Sequence, residues 1–395
     1  MASSRTVFIA GAGIGGLSAA LAIARQGFPV AIFEQAPRLE EIGAGIQLSP
    51  NASRILIALG LGDTLQRHVV APDELRVMNG RTGRMLASTP LGALAASRYG
   101  APYWVIHRGD LQAVLVAAAR ATPNIALHLD ARIEGFTLGD GVTLSARAPQ
   151  ALTERGLALV AADGLWSSLR ARLGHGDEPR FARHVAWRAL VPADTVAPDL
   201  RAPAITLWLG DNAHLVHYPV SGGSQINLVA IFRDDWREIG WSAPGARADV
   251  LARYPKGSWP PAARAILEAP RQWQKWALYD RPPNGRWGMG AVALLGDAAH
   301  PMLPYLAQGA AMAIEDAAVF ARRLAETPAD PASAIRRYAR QRLARTARVQ
   351  RAARANGRVY HLGGRAAWLR TLALGAFSGK RLLSHYDWLY GWTPT

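Results

Sequence analysis

Apolar positions along the chain fall into blocks whose period changes from strand-like to helical. Residues 6–10 are a short β-branched and apolar run, GAGIGG follows, and LSAALAIARQG then has the apolar spacing of a helix closed by Gly27. Residues 30–34 read as a second buried strand, so the amino terminus predicts a βαβ unit. The uncharged run over 7–24 has the length of a signal core or a membrane span, but Gly11, Gly13, Gly15 and Gly16 put a turn in its middle and only Arg5 precedes it. No other segment reads as a span. The expected location is the cytoplasm.

Further along, a loop of small residues at 43–52 (GAGIQLSPNA) leads to a helix with Ser49, Pro50 and Asn51 as start signals. Residues 75–87 predict a hairpin turning at Asn79-Gly80, and 104–120 a strand, a turn and a helix capped by Asp110; 124–129, 142–147 and 157–162 read as further strands. From 181 to 284 tryptophan and proline recur, and HLVHYPV (214–220) and QINLVAIF (225–232) flank SGGS, a hairpin signal. AVALLGDAAH then returns to strand and helix, and the chain ends in helices, among them the Arg-rich 335–358, and an aromatic tail, YDWLYGW. The pattern predicts an α/β protein. A Rossmann-like domain is assembled from 1–74, 100–180 and 285–334, a mostly β domain from 75–99 and 181–284 is inserted, and 335–395 form a carboxyl-terminal helical region.

Composition narrows the function. At 395 residues the chain exceeds the size of a single core, and with 50% hydrophobic and 19% charged residues it suits an ordered enzyme. The absence of cysteine excludes disulfides, thiolate metal sites and cysteine nucleophiles. The formal charge of +16 rests on arginines scattered along the chain, with lysine only at 256, 275 and 380, a field suited to steering anionic ligands. Arg345, Arg348, Arg351, Arg354 and Arg358 make a stripe that reads as a solvated helix face. No nucleic-acid module accompanies it, so nucleic acid is not an expected partner. The aromatic tail reads as an anchor for the last helices or a dimer contact, and the chain as a monomer or homodimer.

Three motifs carry chemistry. Gly11, Gly13 and Gly16 form G-x-G-x-x-G between a strand and a helix, with Gly15 expected to bind the cofactor beside them and Glu34 at the end of the next strand. Such glycines allow close backbone approach, the helix start offers N–H groups to a pyrophosphate, and the carboxylate can bind a ribose. The second is ADGLWSSLR at 162–170, with Asp163 and Gly164, and the third GDAAHP at 296–301, with Gly296 and Asp297. Either alone reads as a turn with an aspartate cap.

In this order and spacing, over residues 5 to 325, the three motifs resemble the class A flavoprotein monooxygenases of the salicylate, hydroxybenzoate and hydroxynicotinate hydroxylase type. The resemblance implies bound FAD, NADH or NADPH as co-substrate, and O2 activated as a C4a-hydroperoxyflavin that hydroxylates a small phenolic, benzoate-like or N-heteroaromatic substrate. It further implies that Asp297 bonds the ribityl chain, that Arg108 of HRGDLQ reaches the FAD, and that 301–310 wall the flavin. N–H groups near Gln308, Gly309 and Ala310 would face the end of the ring where negative charge gathers on reduction. An apolar wall keeps water from a labile peroxide.

Phenol hydroxylation benefits from a base or proton relay. On a strand at 214–220, His214 and Tyr218 share a face and His217 takes the other. The related hydroxybenzoate enzymes have a histidine and a tyrosine at this four-residue spacing, which favours His214 with Tyr218 and leaves His217 in reserve. Gln47, Tyr103, Arg188, Pro304 and Tyr305 complete the candidate pocket, with Arg188 suited to a substrate carboxylate. Some family members carry histidine or glutamine at the positions of Pro304 or Tyr305, so the proton route of those relatives does not carry over. His300 is expected to bond its own turn, since no cluster at ligand spacing surrounds it and no metal is expected. No G-x-S-x-G elbow supports a hydrolase. Two alternatives remain: an FAD-dependent reductase or dehydrogenase without oxygen transfer, and a basic nucleic-acid-binding protein on a vestigial nucleotide fold.

Overall fold

The computed structural model describes residues 5–39, 44–148, 152–238, 242–283, 285–375 and 379–394; Gly43 of the small-residue loop lies outside them. Val7–Ala10, Val30–Phe33 and Ala158–Ala161 are apolar and buried at every position, as strands covered on both faces must be. Among the described residues they lie in a six-stranded sheet ordered Gly288–Met289, Val292–Leu294, Ala158–Ala161, Val7–Ala10, Val30–Phe33, Ile125–His128. All its pairings are parallel except the hairpin of its first two strands.

The helices Ile14–Ala24 and Gly309–Glu326 pack against each other beside this sheet. Small side chains make that approach possible: a Cβ on Gly15 would sit 2.9 Å from Leu295 Cδ2 and 3.1 Å from the Ala313 Cβ. The Ala-rich run after residue 308 is therefore a buried helix held against the dinucleotide helix, and Gly15 serves this packing.

A second, eight-stranded sheet runs Ala243–Gly245, Trp273–Asp280, Arg180–Pro192, Gln225–Arg233, Ala213–Val220, Ala204–Leu209, Glu74–Asn79, Met85–Pro90 among the described residues. One face buries Trp187, Leu215, Leu228, Ala230 and Phe232 in a core with Val250, Tyr254 and Trp273. Strand alternation turns Arg188, His214, Val216 and Tyr218 to the other face, where Ala186 and Ile231 pack with Leu303 and Tyr305. Register aligns His214 with Ile231 and Ala186, Val216 with Val229 and Arg188, and Tyr218 with Asn227 and Leu190.

Three expectations change. Gly45–Leu48, expected as loop, is a strand paired antiparallel with Trp104–His107. Its small residues serve close approach: the Gly45 N–H donates to Asn227 Oδ1 at 2.6 Å, and a Cβ there would lie 2.6 Å from the Tyr218 ring. Asp110 is not a cap, because the helix starts at Arg108 with His107 as N-cap; Asp110 instead accepts from Ser221 Oγ at 2.8 Å.

The arginine stripe is not wholly solvated. On the helix Pro331–Tyr360, Arg345 binds Glu315, Arg354 binds Asp280, and Arg348 lies over the Trp388 ring, while Arg351 and Arg358 stay exposed. Guanidinium forks with long apolar stems suit such docking. The tail is an anchor: Tyr390 meets Tyr99 and Tyr103 edge-on, and Trp392 lies beneath Arg342 and Arg345. No helix among the described residues is long and apolar enough to cross a membrane.

Candidate active site

The first landmark is a tight turn into a helix start. Gly11 has φ +99°, and a Cβ on Gly16 would fall 2.0 Å from the Gly11 carbonyl oxygen, so both positions demand glycine. Gly13 has nothing within 4 Å of its Cβ position, which leaves the helix start open to a ligand. Gln112, in the helix begun by Arg108, steadies the turn by donating to the Ala12 carbonyl at 3.2 Å. Glu34 is oriented by two backbone donors, Ala12 N–H at 2.8 Å and Ala36 N–H at 2.9 Å. Each oxygen keeps a lone pair for a ribose hydroxyl. Beside it, Gln35, Asp130, Arg132 and Arg147 line a polar cavity of about 190 Å³.

The second and third landmarks are tied together by Arg170, a buried residue that sequence reasoning left without a role. Its guanidinium donates to the carbonyls of Ala298 at 3.0 Å and Ala299 at 3.3 Å and to both oxygens of Asp177 at 3.1 Å. Asp163 accepts from the Leu169 N–H at 3.3 Å through Oδ2, its Oδ1 is buried without a partner, and burial raises its pKa. Asp297 keeps an accessible edge on the cleft; desolvation by the surrounding protein raises its carboxyl, against the charges of His300 and Arg108. His300 does not bond its own turn directly: its Nε2 lies 2.5 Å from Oδ2 of Asp316 in the helix Gly309–Glu326, and the same oxygen accepts the Gly296 N–H of the turn at 3.1 Å.

The wall that follows is fixed by a polar network behind it. Pro304–Leu306 form a short 3-10 turn, and Ala307 takes φ +51°, a left-handed conformation costing about 1–2 kcal/mol for a residue with a Cβ. Gln308 holds the next step by donating to Ser49 Oγ at 2.9 Å and accepting from Asn51 Nδ2 at 3.2 Å. Asn51 also donates to Glu315 at 2.7 Å, and Glu315 and Asp316 both bind the buried Arg342. The helix start at Gly309 and Ala310 is thereby presented with nothing within 4 Å of the Gly309 Cβ position. Ser49, Asn51, Gln308, Glu315, Asp316 and Arg342 were not foreseen as a unit. The available signal was the Glu315-Asp316 pair inside an apolar helix.

On the sheet face opposite, the predicted residues fall into two groups, the second completed by Tyr360 and His361. Tyr103 donates to Gln47 Oε1 at 2.7 Å, and Gln47 and Arg188 are both close enough to Tyr218 to act on its hydroxyl, with Arg108 near Arg188. Burial pushes both tyrosine hydroxyls well up and pulls Arg188 down to about 10, so all three are protonated at neutral pH. The second group joins His214 to Tyr305, Tyr360 and His361, with ring centroids 5.7, 5.4 and 4.9 Å from His214. Burial drives His214 well below its ordinary value, so it is a neutral imidazole. Pro304 is half-buried in the turn that carries Tyr305. His217 is brought to neither group; it lies on the far face against Trp208, where burial lowers it to about 3. His361 had no sequence signal beyond its position after the arginine stripe.

The cradle fits FAD: open helix starts at Gly13 and Gly309, an unpartnered Asp163 oxygen and the cleft edge of Asp297 converge from separate segments. This is the frame of an FAD-binding oxidoreductase. A family model described as "FAD binding domain" matches residues 4–353. The chain is 40% identical to 3-hydroxybenzoate 6-hydroxylase 1 of Aquipseudomonas alcaligenes, covering 98% of this chain and 97% of that protein. It is 36% identical to 6-hydroxynicotinate 3-monooxygenase of Bordetella bronchiseptica, covering 92% of each. Among solved structures, Klebsiella pneumoniae HpxO complexed with FAD and uric acid superposes with a TM-score of 0.85 at 27% identity, covering 96% of this chain and 95% of that one. The chain belongs to the class A FAD-dependent aromatic monooxygenases. It is an enzyme that uses FAD, NAD(P)H and O2 to hydroxylate an aromatic ring. No group of histidine and acidic side chains suited to a metal ion occurs among the described residues.

Proposed function

We propose that the substrate is a phenol bearing a carboxylate, of the hydroxybenzoate kind, hydroxylated on the ring. Arg188 carries this reading. Its guanidinium lies 5.1 Å over the Trp276 ring, its Nε is buried without a partner, and no carboxylate pairs with it among the described residues. A desolvated cation without a counter-ion is costly, and an anionic ligand offsets that cost. The relatives named for 3-hydroxybenzoate and 6-hydroxynicotinate act on compounds that combine a hydroxyl with a carboxylate.

Bound FAD would supply the two-electron chemistry and the activation of dioxygen. Glu34, Asp163, Arg108 and Asp297 would hold it, with the helix starts at Gly13 and Gly309 facing its anionic parts. The chain itself binds the acid through Arg188 and orients the phenolic oxygen. Tyr218, kept protonated by burial, donates to that oxygen, and His214, kept neutral, accepts its proton. Losing the phenolic proton raises the electron density of the ring that is to be attacked. Buried Leu303 and Tyr305 exclude water from the turn before Gly309. In this scheme residues 1–74, 100–180 and 285–334 hold the cofactor, 75–99 and 181–284 supply the substrate face, and 335–395 brace both.

Arg188→Met tests the reading. Charge-assisted bonds of about 1.5–3 kcal/mol correspond to a fall of about 10- to 150-fold in kcat/KM for a hydroxybenzoate, expressed mainly in KM. The same phenol lacking its carboxylate should be turned over equally by both proteins. Steady-state kinetics on the matched pair decides; an equal loss on both substrates contradicts a carboxylate site at Arg188.

A further inference from the structure

We propose that His361, at the carboxyl end of the helix Pro331–Tyr360, is a positioning residue that fixes the tautomer of His214 and leaves Nε2 of His214 as the proton acceptor. The proposal rests on His214 being the base for the phenolic proton. It follows from three atoms in a row. Two backbone groups favour a hydrogen on His361, Gly357 more than Ile231, and the Gly357 carbonyl oxygen, which can only accept, is the one at hydrogen-bond distance, 2.8 Å from Nδ1, so Nδ1 carries the hydrogen. In a neutral imidazole the other nitrogen is then bare, and His361 Nε2 stands 3.0 Å from His214 Nδ1. His214 must therefore donate through Nδ1. Its own Nε2 is left with a lone pair.

The surroundings keep this chain of assignments neutral. His184, from the strand Arg180–Pro192, stacks on His361 with centroids 4.4 Å apart and planes 22° from parallel. Tyr305 and Tyr360 pack edge-on against His214. Arg370, from the helix Gly364–Gly375, donates to the carbonyls of Val359 at 3.1 Å and Tyr360 at 3.0 Å, which fixes the helix end, and adds positive charge near His361. Arg233 acts in the same sense on His184. Burial and like charge thus oppose a cation on His361 itself, which is held at about 4 and stays a neutral acceptor.

The geometry also bears on the step itself. When His214 takes the proton, the phenol O–H bond breaks, an Nε2–H bond forms, and the positive charge on the ring makes Nδ1–H a stronger donor. The bare Nε2 of His361 accepts it, so the bond strengthens as the proton moves. No electron is transferred in this step, and the proton can return to the product oxygen.

The test uses the FAD-loaded full chain labelled with 15N-histidine, together with His361→Leu and His361→Gln. The glutamine oxygen sits where Nε2 does and can accept from His214; leucine cannot. Nitrogen shifts of the wild-type protein at neutral pH should show His214 protonated on Nδ1 and bare on Nε2. His361→Leu should mix the tautomers, lower kcat by at least about tenfold with KM unchanged, and shift the acid limb of the pH profile. His361→Gln should restore both the spectrum and most of the rate. A wild-type His214 protonated on Nε2, or a folded leucine variant with unaltered kcat and pH profile, overturns the proposal. If the leucine variant does not fold, the wild-type shifts decide alone. Failure of the functional reading is seen separately, as a wild-type enzyme that hydroxylates no phenol while the resting shifts still report the hold of His361 on His214.

Discussion

Arg342→Met is expected to cost about 3–5 kcal/mol of stability, the penalty for removing one partner of a buried ion cluster. Arg342 is fully buried and serves two carboxylates at once, with Nε 2.6 Å from Asp316 Oδ1 and Nη1 2.5 Å from Glu315 Oε2. Glu315 would retain Arg345, at 2.6 and 2.7 Å. Asp316 would retain His300 and the Gly296 N–H, so the damage should concentrate at the turn carrying Asp297. Thermal melting and the flavin-to-protein ratio of the purified variant should therefore fall together. Arg342→Lys should be intermediate, because a point charge cannot span both carboxylates.

The same cluster sets an acid limit. Burial pushes the Asp316 carboxyl up, but His300 and Arg342 outweigh it and hold the pKa below the ordinary value. A folded pKa below the unfolded one contributes stability at neutral pH that is lost as pH falls through the folded value. Melting temperature plotted against pH should show this loss in the wild-type chain below the ordinary carboxylate range and a smaller one in Arg342→Met, where His300 remains beside Asp316.

His214→Ala should lower kcat for hydroxylation by about 10²- to 10⁴-fold, the range for removal of a positioned base. Flavin content should be unchanged, because His214 lies on the sheet of the substrate face while the cofactor landmarks stand on the other sheet and its flanking turns. Tyr218→Phe should cost less, since in the proposed scheme it removes a donor to the phenolic oxygen but leaves His214 as the base. Its partners Gln47 and Tyr103 would still bond each other. Single-turnover measurement of product separates these variants from ones that only weaken binding.

Much of this is legible in the sequence, and the reasons differ by element. Buried parallel strands such as Val7–Ala10 and Ala158–Ala161 are continuous apolar runs, and the glycine turn between the first strand and helix has few other uses. The shared face of His214 and Tyr218 follows from the two-residue period alone. Long-range pairings were hidden. Gly45–Leu48 is a strand because Trp104–His107, more than fifty positions away, supplies its partner. Arg345 and Arg354 looked like solvent-facing charge because their partners Glu315 and Asp280 lie on other elements, and Arg342, bound to Glu315 and Asp316, had no signal of its own. His361 falls in the site only because a thirty-residue helix ends against the strand that carries His214.

The central claim is that this chain, loaded with FAD, inserts oxygen from O2 into a carboxylated phenol. The most direct test supplies the reconstituted protein with NAD(P)H, 18O2 and a panel of hydroxybenzoates and weighs the products. The account predicts substrate-stimulated NAD(P)H oxidation and a product carrying one 18O atom. NAD(P)H oxidation that yields hydrogen peroxide alone, with no labelled product from any member of the panel, would contradict it.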